Sequence, residues 1–208
     1  MTTVNSLPEQ DQRIVLDPVY SNDFINVYDV GSALDSVSVI ADVERFDWID
    51  STIVAGDEQQ HRPVTRDSGQ QNFSAINSPV MHQPLLRYAS KCLENYLEMF
   101  PQANNFPSFA VNENYNIIRY KPGQAYHSVH SDFYPNYNSV LSHRHLTGVC
   151  FLNDIEEGGT LEFPQQDLSI KAEAGKCVIF PSGWTHAHRT LPPVDQTRYV
   201  FQLWWSFA

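Results

Sequence analysis

Eight histidines occur in the chain, and six of them, His127, His130, His143, His145, His186 and His188, fall in its second half. Among these, His130-Ser-Asp132 stands out. On a strand, positions i and i+2 share a face, so this tripeptide would set an imidazole and a carboxylate side by side. The segment Thr185-His-Ala-His188 supplies a further imidazole from elsewhere in the chain. Two histidines and one carboxylate on one face of a metal leave its other positions open, an arrangement that suits non-haem Fe(II) sites. His186 stands two residues before His188 and on a strand would share its face, so either can complete the set.

A cation follows. Arg198 lies ten residues beyond His188, across a Leu-Pro-Pro turn, at the head of the apolar run Tyr199-Val-Phe-Gln-Leu-Trp-Trp205. A hairpin of that length would return it beside the distal histidine. A guanidinium aimed into an apolar interior needs an anion, and its planar fork suits a carboxylate.

The elements that must carry these residues differ between the two halves. From Met81 to Phe100 the apolar residues Leu85, Ala89, Leu93, Tyr96 and Phe100 recur three or four apart, predicting an amphipathic helix ended by Pro101. A second helix is predicted from about Gly31 to Phe46, with Leu34, Val37, Ile40 and Val43 at spacing three. Between them, Gly56 to Gln71 is polar and Gly/Pro-punctuated, and reads as a long connection or lid. After Pro107 come short β-rich runs: Asn116–Tyr120, Thr147–Asn153, Thr160–Phe163, Leu168–Ala172, Cys177–Phe180, Thr185–Arg189 and Arg198–Phe207. Turn signals such as Gly158-Gly159 separate them. The expected class is mainly β with supporting helices (α+β), around a double-stranded β-helix, the cupin-like jelly roll. Residues 1–107 are read as a helical support with a lid loop, and residues 108–208 as the jelly-roll catalytic core, in one integrated domain.

Composition narrows the function. Lys and Arg total 13 against 24 Asp and Glu, a net charge of -11, which excludes a broad cationic surface for nucleic acid. With 12 Phe, 10 Tyr and 4 Trp in 208 residues, the chain can build one sizeable core. Three scattered cysteines, Cys92, Cys150 and Cys177, form no zinc or disulfide pattern. The N-terminus lacks a signal-peptide pattern and no apolar run reaches a membrane span, so a cytoplasmic protein without a membrane partner is expected.

Taken in order, the motifs resemble the Fe(II)- and 2-oxoglutarate-dependent dioxygenases, most closely their prolyl 4-hydroxylase-like branch. The matching text is Arg119-Tyr-Lys-Pro-Gly-Gln-Ala-Tyr126 before His130-Ser-Asp132, then Arg144-His-Leu-Thr147 and Val149-Cys-Phe-Leu-Asn-Asp154. Glu157-Gly-Gly-Thr-Leu-Glu-Phe-Pro164, Gly175-Lys-Cys-Val-Ile-Phe180 and the His188–Arg198 spacing complete it. The resemblance implies iron ligation by His130, Asp132 and His188, the ten-residue spacing to Arg198 favouring His188 over His186. It implies Arg198, Tyr120 and Thr147 as residues for the 2-oxoglutarate cosubstrate, and Arg144, Tyr126 and Trp204 as substrate contacts. Phe151 departs from the branch, standing where many relatives carry a cosubstrate-binding Tyr, which throws more of the distal carboxylate onto Arg198 and Thr147. One extra residue also separates Tyr126 from His130. The implied chemistry consumes O2 and 2-oxoglutarate on Fe(II), with ascorbate as a stimulant, and releases succinate and CO2 as a C–H bond is hydroxylated. The implied substrate is a proline-containing peptide or protein, with a free amino acid or other small molecule as the alternative. Val64-Thr-Arg-Asp-Ser-Gly69 resembles the mobile substrate loop of the branch, so Gly56–Ser74 and Phe133–His143 are both lid segments by expectation.

Overall fold

The structure, a computed structural model, describes residues 16–55, 58–105, 107–135 and 140–208. In chain order its elements begin with β1 (Tyr20–Asn22), β2 (Ile25–Asp29), α1 (Ser36–Val43), β3 (Ile49–Asp50), β4 (Ile53–Ala55), β5 (Glu58–Gln60), β6 (Gly69–Phe73) and α2 (Gln83–Met99). They continue with β7 (Phe109–Ala110), β8 (Tyr115–Tyr120), β9 (Arg144–Phe151), β10 (Leu161–Phe163), β11 (Leu168–Ile170), β12 (Lys176–Pro181), β13 (Arg189–Thr190) and β14 (Arg198–Phe207).

One antiparallel sheet of nine strands runs β1-β2-β12-β9-β14-β8-β6-β3, with β7 joining the end of β14. A smaller sheet, β11-β10-β13, faces it across a jelly-roll interior, and β4 with β5 makes a separate hairpin. The central strands are buried on both faces, so period-two alternation sorts their side chains between two cores. Ile117, Cys150, Cys177, Ile179, Phe201 and Leu203 point to the helices, where Leu85, Ala89, Cys92 and Tyr96 of α2 and Val39 and Val43 of α1 cover them. Ile118, Val149, Phe151, Val178, Phe180 and Val200 point into the roll with Leu161, Phe163 and Ile170. At Gly148 on β9 an added Cβ would lie 3.0 Å from the Trp205 ring, so glycine there lets an indole of β14 lie flat over its neighbour strand.

The α2 boundaries follow from Pro84 in the first turn and Pro101 just past the end. The first helix is shorter than its pattern: residues 31–33 form a 3-10 turn, and Asp35 caps α1 by accepting from Ser38 N at 3.1 Å. The first 107 residues also supply strands that the helical reading omits, β1 and β2 at one end of the large sheet and β6 and β3 at the other. The hairpin joining β1 to β2 turns through Asp23 and Phe24, both with positive φ, as a two-residue connection requires. The polar lid segment is likewise partly sheet. Residues 69–73 pair with β8, with Gln70 and Asn72 facing the cleft and Gln71 giving its amide to Val43 O at 2.8 Å. Residues 56, 57 and 136–139 of the two lid readings lie outside the described residues.

Candidate active site

His130 and His188 face each other across an isolated antiparallel bridge, with N–H···O distances of 2.9 and 2.8 Å in the two directions. His130-Ser-Asp132 is therefore not a regular strand, yet Asp132 turns back so that its two oxygens lie 3.8 Å from His130 Nε2 and 3.9 Å from His188 Nε2. All three ligand atoms fall within 4.8 Å of one another, a spacing that fits a single metal ion. Each ring is aimed by a backbone carbonyl: His130 Nδ1 lies 3.1 Å from Ser128 O, and His188 Nδ1 lies 3.0 Å from His186 O. A carbonyl only accepts, so Nδ1 carries the proton and Nε2 offers its lone pair to the cluster. Tyr126 stacks on His130 at 3.5 Å, and Phe180 packs edge-on against His188 at 4.9 Å.

Electrostatics suit ligation. Burial raises the Asp132 carboxyl, but His188, His130 and Arg144 outweigh it and hold it at about 2. His130 is pushed down to about 3 by burial, with His188 beside it adding to the effect. At neutral pH the cluster is one carboxylate with a neutral His130, the forms a divalent cation needs. His186 does not join it. Residues 184–186 form a 3-10 turn rather than the expected strand, so His186 turns away, with Nε2 2.7 Å from Asp23 O and Nδ1 2.9 Å from Thr185 Oγ1.

Arg198 is fully buried at the start of β14, opposite Tyr120 of β8. It arrives from the large sheet and not through a hairpin with the strand after His188, because β13 pairs with β10 whereas β14 pairs with β8 and β9. The intervening prolines are pinned instead to the Gly158-Gly159 turn, Gly159 N donating to Pro192 O at 3.0 Å. That turn also holds the arginine, since Nη1 donates to Gly159 O, while Cζ lies 4.2 Å over the Tyr120 ring. Among the described residues, Nε and Nη2 are buried without a hydrogen-bond partner. Burial lowers this guanidinium to about 10, which leaves it charged at neutral pH. A buried cation with two donors free of hydrogen bonds, in an apolar pocket of Ile118, Val149, Phe151 and Leu161, has the chemistry to take a carboxylate.

The remaining expected site residues also converge. A cleft of about 1100 Å³ is lined by the three cluster residues, Arg198, Tyr120, Tyr126, Arg144 and Trp204, and extends past Gln70, Asn72, Asn116 and Gln202. Arg144 lies 3.5 Å over the Trp204 ring. Thr147 is close by but its hydroxyl is engaged elsewhere, donating to Asp132 Oδ2 at 2.9 Å. Further residues join the site, Arg66 from the Val64–Gly69 loop motif and Glu113 and Ser182 without any motif signal. Glu113 grips Arg144 through both oxygens, with Nε–Oε1 at 2.8 Å, and Arg66 lies 5.2 Å from the Tyr126 ring. Ser182 completes the hydroxyl pair with Thr147 at 2.8 Å.

Residues 115–206 match the family model of the 2OG-Fe(II) oxygenase superfamily. Over this region the chain is similar to the 2OG-Fe(II) oxygenases and, among curated proteins, to plant prolyl 4-hydroxylases. Prolyl 4-hydroxylase 13 of Arabidopsis thaliana is 28% identical over 147 residues, which is 60% of this chain and 53% of that protein. The chain thus spans about half the length of that curated relative. A viral collagen prolyl hydroxylase from Paramecium Bursaria Chlorella virus-1, solved with 2OG, superposes on this chain with a TM-score of 0.62 at 19% identity, covering 89% of this chain and 97% of that one. A prolyl hydroxylase from Trichoplax adhaerens, in complex with a hypoxia inducible factor peptide fragment, gives a TM-score of 0.67 at 16% identity over 88% of this chain and 83% of that one. At these identities the structural likeness shows the fold. The cofactors of the superfamily, Fe(II) and 2-oxoglutarate with O2, fit the two features described, a three-residue cluster and an orphaned buried arginine. Among the described residues, no helix is long and apolar enough to cross a membrane.

Proposed function

We propose that this oxygenase 4-hydroxylates prolyl residues in a flexible peptide or protein segment, with succinate and CO2 as coproducts. In this reading His130, Asp132 and His188 hold Fe(II), and Arg198 with Tyr120 holds the distal carboxylate of 2-oxoglutarate. Bound iron with 2-oxoglutarate and O2 supplies the oxidising equivalents. The chain's own residues do the rest: the carbonyl-anchored imidazoles keep the ligand atoms aimed, and the apolar wall of Phe151, Leu161 and Val149 excludes water around the cosubstrate.

The observation that carries the substrate reading is the cleft. Its volume of about 1100 Å³ exceeds what a single amino acid fills, and beside the cluster it is lined by the side-chain amides of Gln70, Asn72, Asn116 and Gln202. Next to the cluster, Tyr126 and Trp204 offer aromatic walls to a flat apolar ring, and Arg144 lies over Trp204 to meet a peptide carbonyl. Glu113 neutralises Arg144, so this end of the cleft suits an uncharged chain. Three buried free thiols, Cys92, Cys150 and Cys177, agree with the reducing, cytoplasmic setting expected from the sequence.

The test is succinate release coupled to mass spectrometry of products, with Fe(II) and 2-oxoglutarate, against proline-containing peptides and free proline. Peptide hydroxylation at proline C4, lost in Trp204→Ala, is the expected result. Robust hydroxylation of free proline with every peptide inert would move the assignment to a small-molecule oxygenase.

A further inference from the structure

Thr147 and Ser182 are both fully buried and lie on neighbouring strands, Thr147 within β9 and Ser182 just past the end of β12. Their hydroxyls meet at 2.8 Å, and Thr147 Oγ1 lies 2.9 Å from Asp132 Oδ2. The direction of these bonds is set by chemistry. An ionised carboxylate only accepts, so Thr147 must give its single hydrogen to Asp132, and Ser182 must then donate to Thr147. The backbone around Asp132 is tied to the same place. Ser182 O accepts from Phe133 N at 2.9 Å, Ser182 N donates to His145 O at 3.0 Å, and Arg144 Nη1 donates to Asp132 O at 3.3 Å.

We propose that the Ser182–Thr147 hydroxyl relay fixes the rotamer of Asp132 by holding its Oδ2, so that the carboxylate stays aimed at the cluster with His130 and His188. Thr147 is then a positioning residue for the metal ligand and not a contact of the cosubstrate. The physical reason is that a short carboxylate on irregular backbone has no strand ladder to hold its side chain, and two buried hydroxyls supply the missing constraint. The inference rests on the metal reading of His130, Asp132 and His188.

The test is titration of the metal-free protein with Co(II), following binding and the visible spectrum in the absence of 2-oxoglutarate. Thr147→Val keeps the shape and removes the donor, and is expected to weaken Co(II) binding by about 10–100-fold and to alter the spectrum, the size of effect expected for an outer partner of a metal ligand. Thr147→Ser should restore both, and Ser182→Ala should weaken binding less, because Thr147 keeps its own hydrogen. Thermal melting of the metal-free variants separates packing from positioning. A lowered melting temperature with unchanged Co(II) affinity in Thr147→Val would overturn the relay. If Thr147→Val does not fold, Ser182→Ala carries the test, and wild-type affinity and spectrum in it would overturn the relay equally. Asp132→Ala distinguishes the two readings: wild-type Co(II) affinity in that variant defeats the metal site itself, whereas loss there with full affinity in Thr147→Val defeats the relay alone.

Discussion

The two faces of the large sheet are built from the same strands and do opposite work. Toward the helices, β8, β9, β12 and β14 present Ile117, Cys150, Ile179, Phe201 and Leu203, fully buried and apolar. Toward the roll the same strands present Tyr120, Thr147, Arg198 and Trp204 beside Val149 and Val200. The helix face gains stability from burial alone. The roll face carries a buried arginine with two nitrogens lacking hydrogen-bond partners and looks onto a carboxylate beside two imidazoles, arrangements that cost stability until ligands arrive. One face is thus optimised for the fold and the other for binding, and one residue of register separates them.

Mutations on the two faces should therefore differ in kind. The largest effect expected is at the cluster: Asp132→Ala should lose metal binding and all measurable turnover, while His186→Ala should keep both, because His186 is committed to Asp23 O. Metal titration and succinate release check this, and the reverse pattern would break the ligand assignment. On the helix face, Phe201→Ala should destabilise the protein by about 3–5 kcal/mol through the cavity it leaves, with metal affinity of the folded protein unchanged, as read by denaturant unfolding and Co(II) titration. Arg198→Met sharpens the contrast. It should raise the 2-oxoglutarate KM by about 10–100-fold, the equivalent of about 1.5–3 kcal/mol for hydrogen bonds to a charged group, with a smaller change in kcat. It should also leave the ligand-free melting temperature equal or higher, because it removes an uncompensated buried charge. A collapsed kcat with an unchanged KM would contradict the assignment. The smallest effect belongs to Phe151→Tyr, facing the same pocket: the added hydroxyl should be tolerated and tighten 2-oxoglutarate binding a few-fold, measured by cosubstrate titration.

What could be read in advance follows the same division. The apolar period of α2 and the runs that became β8, β9, β12 and β14 were legible because their burial is apolar, and hydrophobic pattern is the signal that sequence carries best. Gly69–Phe73 was hidden because Phe73 is its only large apolar residue, while Gln70 and Asn72 line the cleft and Gln71 is given to the end of α1. The β1–β2 hairpin was hidden because its turn is Asp23-Phe24 rather than an Asp-Gly pair, with Phe24 held instead against the Phe100 ring at 5.3 Å. The 3-10 turn at Trp184–His186 reads as a strand because its alternation of histidines mimics one.

The sequence by itself determined the chemistry available: which side chains can ligate a metal, which cation awaits a carboxylate, and how far apart along the chain they stand. Tertiary structure decided which of them meet and in what state. His188 rather than His186 faces Asp132 because a single bridge to His130 fixes its direction, and Thr147 serves Asp132 because β9 and the end of β12 bring two hydroxyls to the same oxygen. Glu113, distant in sequence from Arg144, takes half of that guanidinium and sets it over Trp204. These are contacts between segments far apart in the chain, made at distances that only packing sets, and no local pattern of residues encodes them.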